Sequence, residues 1–192
     1  MPVPELDLLV DAARAGGGWA FGRLWEELSP VVHAYVRARG ARDPDDTTSE
    51  VFLAAFTRLD RFDGDGRAFR SWLFTIAHHK AVDSLRRGPG AHEVPSAEVL
   101  DGRTVGSALS SALARLGGDE ALRLLEVLTP EQRSVILLRV VGDLSLEETA
   151  AVVGRPVGAV KALQHRALAR LRRETSSEAV SRDVPGAIAG SR

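Results

Sequence analysis

Cysteine is absent from this chain of 192 residues, so disulfides and thiolate metal sites are excluded and secretion gains no support. Lysine is scarce: arginine outnumbers it 23 to 2, a bias better ascribed to genome composition than to function. Aromatic residues make up 5% of the chain, and no apolar run approaches the roughly 20 residues of a membrane-spanning helix. The stretch 135–141, for example, is far too short. The opening MPVPELDLLVDAARAG is acidic and lacks the basic start of a signal peptide. A cytoplasmic protein with no membrane partner is therefore expected. Strand signals are also nearly absent, because apolar residues recur at helical spacing almost everywhere.

What is present reads as two all-helical domains. A first helix covers residues 4–15 and ends at three consecutive glycines. A second covers residues 19–39, with Phe21, Leu24, Trp25, Leu28, Val32 and Tyr35 as its buried stripe and Pro30 as a point of kinking or interruption. Asp43 and Pro44 read as N-cap and first turn of a third helix that continues to about residue 59. RFDGDGRAF reads as a loop, and residues 68–87 as a helix with Phe69, Leu73, Ile76 and Ala77 inward. Residues 89–118, rich in Gly, Pro and Ser, form an expected flexible linker, with one short helix over 109–116. A second helical domain follows over 119–174. Thr129-Pro130-Glu131-Gln132 and Ser145-Leu146-Glu147-Glu148 both match the capping-box pattern. The tail, residues 175–192, is small and polar and is expected to be disordered.

The chain has a formal net charge of −1, yet residues 154–173 hold six Lys and Arg side chains and no acidic one. A helix over 146–153, a Gly154-Arg155 turn and a helix over 156–173 together form a helix-turn-helix. In the second helix Val157, Val160, Gln164, Ala167, Leu168 and Leu171 fall on one side. Gly158, Ala162, His165 and Arg166 fall on the other, with Lys161 flanking and Arg155 at the entry. One packed face and one slim face tipped with donors is what a major groove admits. A solvated Arg-rich last turn explains Arg170, Arg172 and Arg173. It does not explain two capped helices around a tight turn with a small-residue outer face.

Here the sequence resembles a known family. LTPEQRSVILLRVVGDLSLEETAAVVGRPVGAVKALQHRALARLRR is similar to region four of the extracytoplasmic-function sigma factors of bacterial RNA polymerase. DPDDTTSEVFLAAFTRLDRF resembles the region-two segment that docks on polymerase, and FRSWLFTIAHHKAVDSLRR the promoter-recognition segment after it. The resemblance implies three surfaces. Arg155, Gly158, Lys161, Ala162, His165 and Arg166 would meet the minus-thirty-five element. Asp63, Arg67, Trp72, His79, Lys80, Arg86 and Arg87 would meet the minus-ten element, the loop at 63–66 lying near a base flipped from the stack. Asp46, Ser49, Glu50 and Phe52 would meet the polymerase clamp. His79 stands where the family commonly has Asn, and Ser49 where it often has Gln. Core RNA polymerase and promoter DNA are the implied partners. Family members are often restrained by an anti-sigma protein as well, although nothing in this sequence identifies one.

Other chemistry fits these residues less well. Asp43, Asp45, Asp46 and Glu50 cluster without an interspersed cation, which admits Mg²⁺, but first-turn helix acidity accounts for much of it. Asp63-Gly64-Asp65-Gly66 hints at a calcium loop, yet registering Gly66 as the loop glycine puts Arg61 and Trp72 at ligand positions. His78 and His79 point about 100° apart on a helix and do not share a face. Trp72, Phe69 and Phe74 are aromatic candidates for stacking on melted DNA, with burial favoured for Phe69. No nucleophile–base constellation is present, so the reading is of a non-enzyme without catalytic residues, metal or cofactor. The alternative is a helix-turn-helix regulator whose first domain senses a ligand or dimerises.

Overall fold

The computed structural model describes residues 3–86 and 118–182. Among the described residues there are eight α-helices and no strand: α1 Val3–Arg14, α2 Gly18–Arg39, α3 Pro44–Phe56, α4 Gly66–Arg86, α5 Gly118–Glu126, α6 Pro130–Val140, α7 Leu146–Val153 and α8 Val157–Arg182. A single 3₁₀ turn, Leu59–Arg61, joins α3 to the loop before α4. The short helix expected over 109–116, the linker up to residue 117 and Arg87 lie outside the described residues.

Local chemistry explains most boundaries. Asp43 caps α3 by accepting a 2.9 Å hydrogen bond from the Asp46 amide, with Pro44 in the first turn. Thr129 and Ser145 both close full capping boxes, with Gln132 and Glu148. Gly40, at φ 87°, ends α2 in the left-handed conformation that favours glycine.

Four expectations are corrected. α2 runs unbroken through Pro30: the proline is exposed, so the carbonyl it frees faces water, while Leu28 and Val32 on either side are buried. α3 stops at Phe56 rather than near 59, where the Thr57 hydroxyl donates back to the Leu53 carbonyl at 2.6 Å. α4 begins at Gly66, inside the expected loop, because Asp65 caps it through the Ala68 amide at 2.7 Å. α8 continues to Arg182, through residues expected to be disordered; no Gly or Pro interrupts the sequence before Pro185.

The first four helices enclose Leu24, Leu28, Val32, Tyr35, Phe52, Phe69, Leu73 and Phe74, all buried. Phe21, Phe52 and Phe56 meet edge-on in this core. The second half buries Leu137, Leu138 and Leu144 and, on α8, Leu168 and Leu171. Both groups belong to one contiguous apolar cluster. The halves are thus packed on each other, α4 against α7 and α2 against α6.

Candidate nucleic-acid and polymerase interfaces

The helix-turn-helix is built as its sequence implies. α7 ends at Gly154, whose φ of 64° demands the turn, and nothing lies within 4 Å of the Cβ that glycine lacks. Val135, Ala150, Val160 and Leu163 form a small core that fixes α8 against α6 and α7. This leaves Gly158 and Lys161 exposed on α8, His165 and Arg166 half-exposed, and Arg155 exposed at the entry. Arg155 forms an ion pair with Glu131 of α6. Ala162 is corrected: it is 2% exposed. Its methyl is short, and side chains on a helix lean toward its N-terminus over the preceding turn, which leaves a methyl little reach outward.

On α4 the expected minus-ten residues divide. Asp63 is fully exposed before the helix, and His79 and Arg86 are exposed along it. Trp72 is half-buried, stacked on Phe62 with centroids 5.0 Å apart. Phe69 and Phe74 are completely buried, the latter edge-on to Tyr35 at 5.4 Å, which removes Phe74 as a base-stacking candidate. Lys80 points to the other half of the expected map, bonding Glu50 at 2.7 Å. Two residues expected to meet different macromolecules therefore hold each other. His78 faces inward, its Nδ1 2.9 Å from Tyr35 Oη.

Arg67 is held by the second half of the chain. Its Nε donates to one Glu148 oxygen at 2.8 Å and its Nη2 to the other at 3.3 Å, a fork-to-fork pair. Burial works against the Glu148 carboxylate, but the hydrogen bonds from Arg67 and from the Ser145 amide outweigh it and hold its pKa below the ordinary value. The same Glu148 closes the α7 capping box, so one carboxylate ends a helix and joins two domains. Nearby, Arg70 Nε donates to the Gly142 carbonyl at 2.7 Å, and Arg39 Nη1 to the Pro130 carbonyl at 3.0 Å. Arg39 is buried, and desolvation lowers its pKa. Its Nε has no hydrogen-bond partner. The junction is thus made from desolvated guanidinium groups on backbone carbonyls, with one ion pair beside them. Sequence reasoning missed Arg39 and Arg70, which nothing local distinguishes from solvated charges, and it placed Glu148 in a capping box without foreseeing its pairing with Arg67.

On α3, Asp46, Ser49 and Leu53 share one exposed face, with Glu50 half-exposed beside them. Phe52 is corrected: it is 1% exposed and packs under Trp25, ring centroids 4.7 Å apart. Its place on the buried Val51–Phe52–Ala55 stripe is what turns it inward. The exposed apolar groups here are instead Leu53 at 70% and Trp25 at 39%. Leu53 was detectable, being an apolar residue off the helix's buried stripe.

Comparison with known proteins decides between the readings. Residues 24–88 match the Sigma-70 region 2 family and residues 118–171 the Sigma-70, region 4 family. The chain is 40% identical over 179 residues to the ECF RNA polymerase sigma factor SigD of Mycobacterium tuberculosis, covering 88% of this chain and 84% of that one. The chain belongs to the ECF sigma factors. It is also 39% identical over 168 residues to the ECF sigma factor BldN of Streptomyces coelicolor, covering 86% of this chain but spanning only 64% of that longer relative. Among solved structures, CnrH in complex with the cytosolic domain of CnrY superposes with a TM-score of 0.65 at 30% identity, covering 90% of this chain and 99% of CnrH. One matched region falls in each packed half, and the region 4 match contains α7 and the greater part of α8. No helix among the described residues is long and apolar enough to cross a membrane.

Proposed function

We propose that this chain binds core RNA polymerase and directs promoter-specific initiation of transcription. In this reading α8 enters the major groove of the minus-thirty-five element, presenting Arg155, Gly158, Lys161, His165 and Arg166. The 62–66 loop and α4 meet the minus-ten element through Asp63, Arg67, Trp72, His79 and Arg86. The exposed face of α3, with Trp25 of α2, docks on the polymerase. The chain needs no catalytic group of its own, because the polymerase performs the nucleotide chemistry. A protein that restrains it by holding both halves, as CnrY accompanies CnrH, is part of the proposal.

The observation that carries this reading is the pairing of a capped helix-turn-helix with a separate helical half whose α3 exposes an acidic and apolar face. A free-standing repressor would more commonly be basic overall, whereas this chain is nearly neutral. Leu53→Asp tests the docking face more cleanly than charge reversal at Glu50, which would also strand Lys80. Leu53 is 70% exposed, so the variant should fold like the parent. It should nonetheless retain markedly less core polymerase in a pull-down, with circular dichroism as the folding control. Undiminished retention by a folded Leu53→Asp chain would remove α3 from the docking surface.

A further inference from the structure

α1 lies N-terminal to the segment matched by the region 2 family, which begins at residue 24. It nevertheless grips the loop that precedes α4 at two points. Asp7 Oδ1 accepts a 2.7 Å hydrogen bond from the Gly66 amide, and Arg14 Nη2 lies 4.0 Å from Asp63 Oδ1. Leu6, Leu9, Val10 and Ala13 are buried, so α1 is itself firmly seated.

The bond from Asp7 is unlike an ordinary cap. The first turn of any helix leaves amides without a helical acceptor. In α4 the Ala68 amide is taken locally by Asp65, but the Gly66 amide is taken by a carboxylate 59 positions away. Contact there is close: a Cβ at Gly66 would meet the Asp7 nitrogen, Asp7 Oδ1 and the Leu6 Cβ, each at 2.8 Å. Gly66 is therefore the glycine that this approach requires. On the other side of the loop, Phe62 is fixed by stacking on Trp72 and by an edge contact with Phe69 at 5.7 Å. The loop is pinned at both ends, and between the pins Asp63 and Asp65 face solvent, with Arg67 just beyond.

We infer that Asp7 is a positioning residue for minus-ten recognition: through the Gly66 amide it sets where the 62–66 loop and Arg67 present themselves to the DNA. The inference rests on the proposal that this loop reads the minus-ten element. Base selectivity at that element then depends on a helix outside the matched region.

The experiment uses full-length chain reconstituted with core RNA polymerase. Open-complex formation is compared on a set of templates bearing single base changes in the minus-ten element and on a set changed in the minus-thirty-five element. Asp7→Ala removes the acceptor and should reduce minus-ten discrimination by up to roughly fivefold, the ceiling reached if the whole stability cost of a lost capping acceptor falls on the loop's DNA-bound position. Minus-thirty-five discrimination should stay as it was. Asp7→Asn keeps an oxygen at the same place and should restore minus-ten discrimination. Hydrogen exchange adds a direct readout: the Gly66 amide should be protected in the parent and the Asn variant, and exposed in the Ala variant.

Asp63→Ala and Arg67→Ala, run alongside, separate the two ways of failing. Lost minus-ten discrimination in those loop variants but not in Asp7→Ala would overturn the role of Asp7 and leave the loop reading intact. Unchanged discrimination in the loop variants would overturn the loop reading, and the role of Asp7 with it. Equal loss at both promoter elements in Asp7→Ala would mark Asp7 as a general support of the fold and overturn the inference too.

Discussion

Tyr35 Oη lies 2.9 Å from His78 Nδ1, in an environment that already contains the buried Arg39. Burial, then the Arg39 cation and His79, lowers the His78 pKa from 6.5 to about 4. Arg39 donates to the tyrosine oxygen, which leaves the hydroxyl proton for a neutral His78 to accept at Nδ1. Protonation would put a donor against that hydroxyl and a second cation beside Arg39. Because the folded pKa lies below the unfolded one, the unfolded chain takes up the proton first as pH falls. The stabilisation is complete above about 6.5 and is lost between there and 4. At one pKa unit per 1.36 kcal/mol, the full loss is of order 3 kcal/mol. Urea melts of the parent should therefore weaken from pH 7 to pH 4.5, and His78→Gln should flatten much of that slope. An unchanged slope in His78→Gln would show that the histidine is not the group responsible. The Arg67–Glu148 pair acts in the same direction at lower pH: the depressed Glu148 pKa means its contribution is whole above 4.5 and fades as pH falls through the folded value.

Gly154 is the hinge on which α7 turns into α8, and its φ of 64° is expensive for any residue with a Cβ. Space is not the obstacle, since nothing lies within 4 Å of that Cβ. Gly154→Ala should thus cost about 1 kcal/mol through the backbone alone. It should also weaken minus-thirty-five binding by more than this loss of stability explains, by skewing α8 against α7. Thermal melts and DNA titrations on the same preparation check both parts; equal stability would contradict the strained turn. Elements such as this were legible from sequence because their signals are local: a capping box, a glycine after a helix, an apolar stripe. α2 crossing Pro30 and α3 ending at Phe56 were not, because exposure of the proline and the Thr57 back-bond depend on the folded context. The outward side of α8 was legible in outline for the same reason, apart from Ala162. Phe52 was misplaced, and the partners of Lys80 and Arg67 went unforeseen, because family position says which surface a segment serves and only packing says what each side chain touches.

The two halves lie close enough for Arg67 and Glu148 to meet at 2.8 Å. A minus-ten and a minus-thirty-five element about sixteen base pairs apart are separated by roughly 55 Å, at about 3.4 Å per pair. The residues proposed to read the two elements sit on halves that this junction holds together, and Arg67, Arg70 and Arg39 are expected to leave Glu148 and the carbonyls of Gly142 and Pro130 when both elements are read. Arg39 and Arg70 hold neutral carbonyls, which water can satisfy on opening, so their release leaves no unpaired buried carboxylate behind. The number of residues from 88 to 118 permits the opening: 31 residues extend at most to roughly 100–110 Å. Absence of native cysteine makes the opening measurable with spin labels at Asp83→Cys and Ala151→Cys, two exposed positions lining one groove between α4 and α7. The free protein should give a short inter-label distance, and the complex with core polymerase and promoter a distance tens of ångströms longer. A short distance persisting in the complex would contradict separation of the halves.

The proposed function is tested most directly by transcription in vitro with purified core polymerase, this chain and genomic templates, followed by mapping of the transcript starts. The account predicts starts at discrete promoters that share two sequence elements, with a sharp optimum in the spacing between them that the free protein does not show. Starts no different from those of core polymerase alone would contradict it.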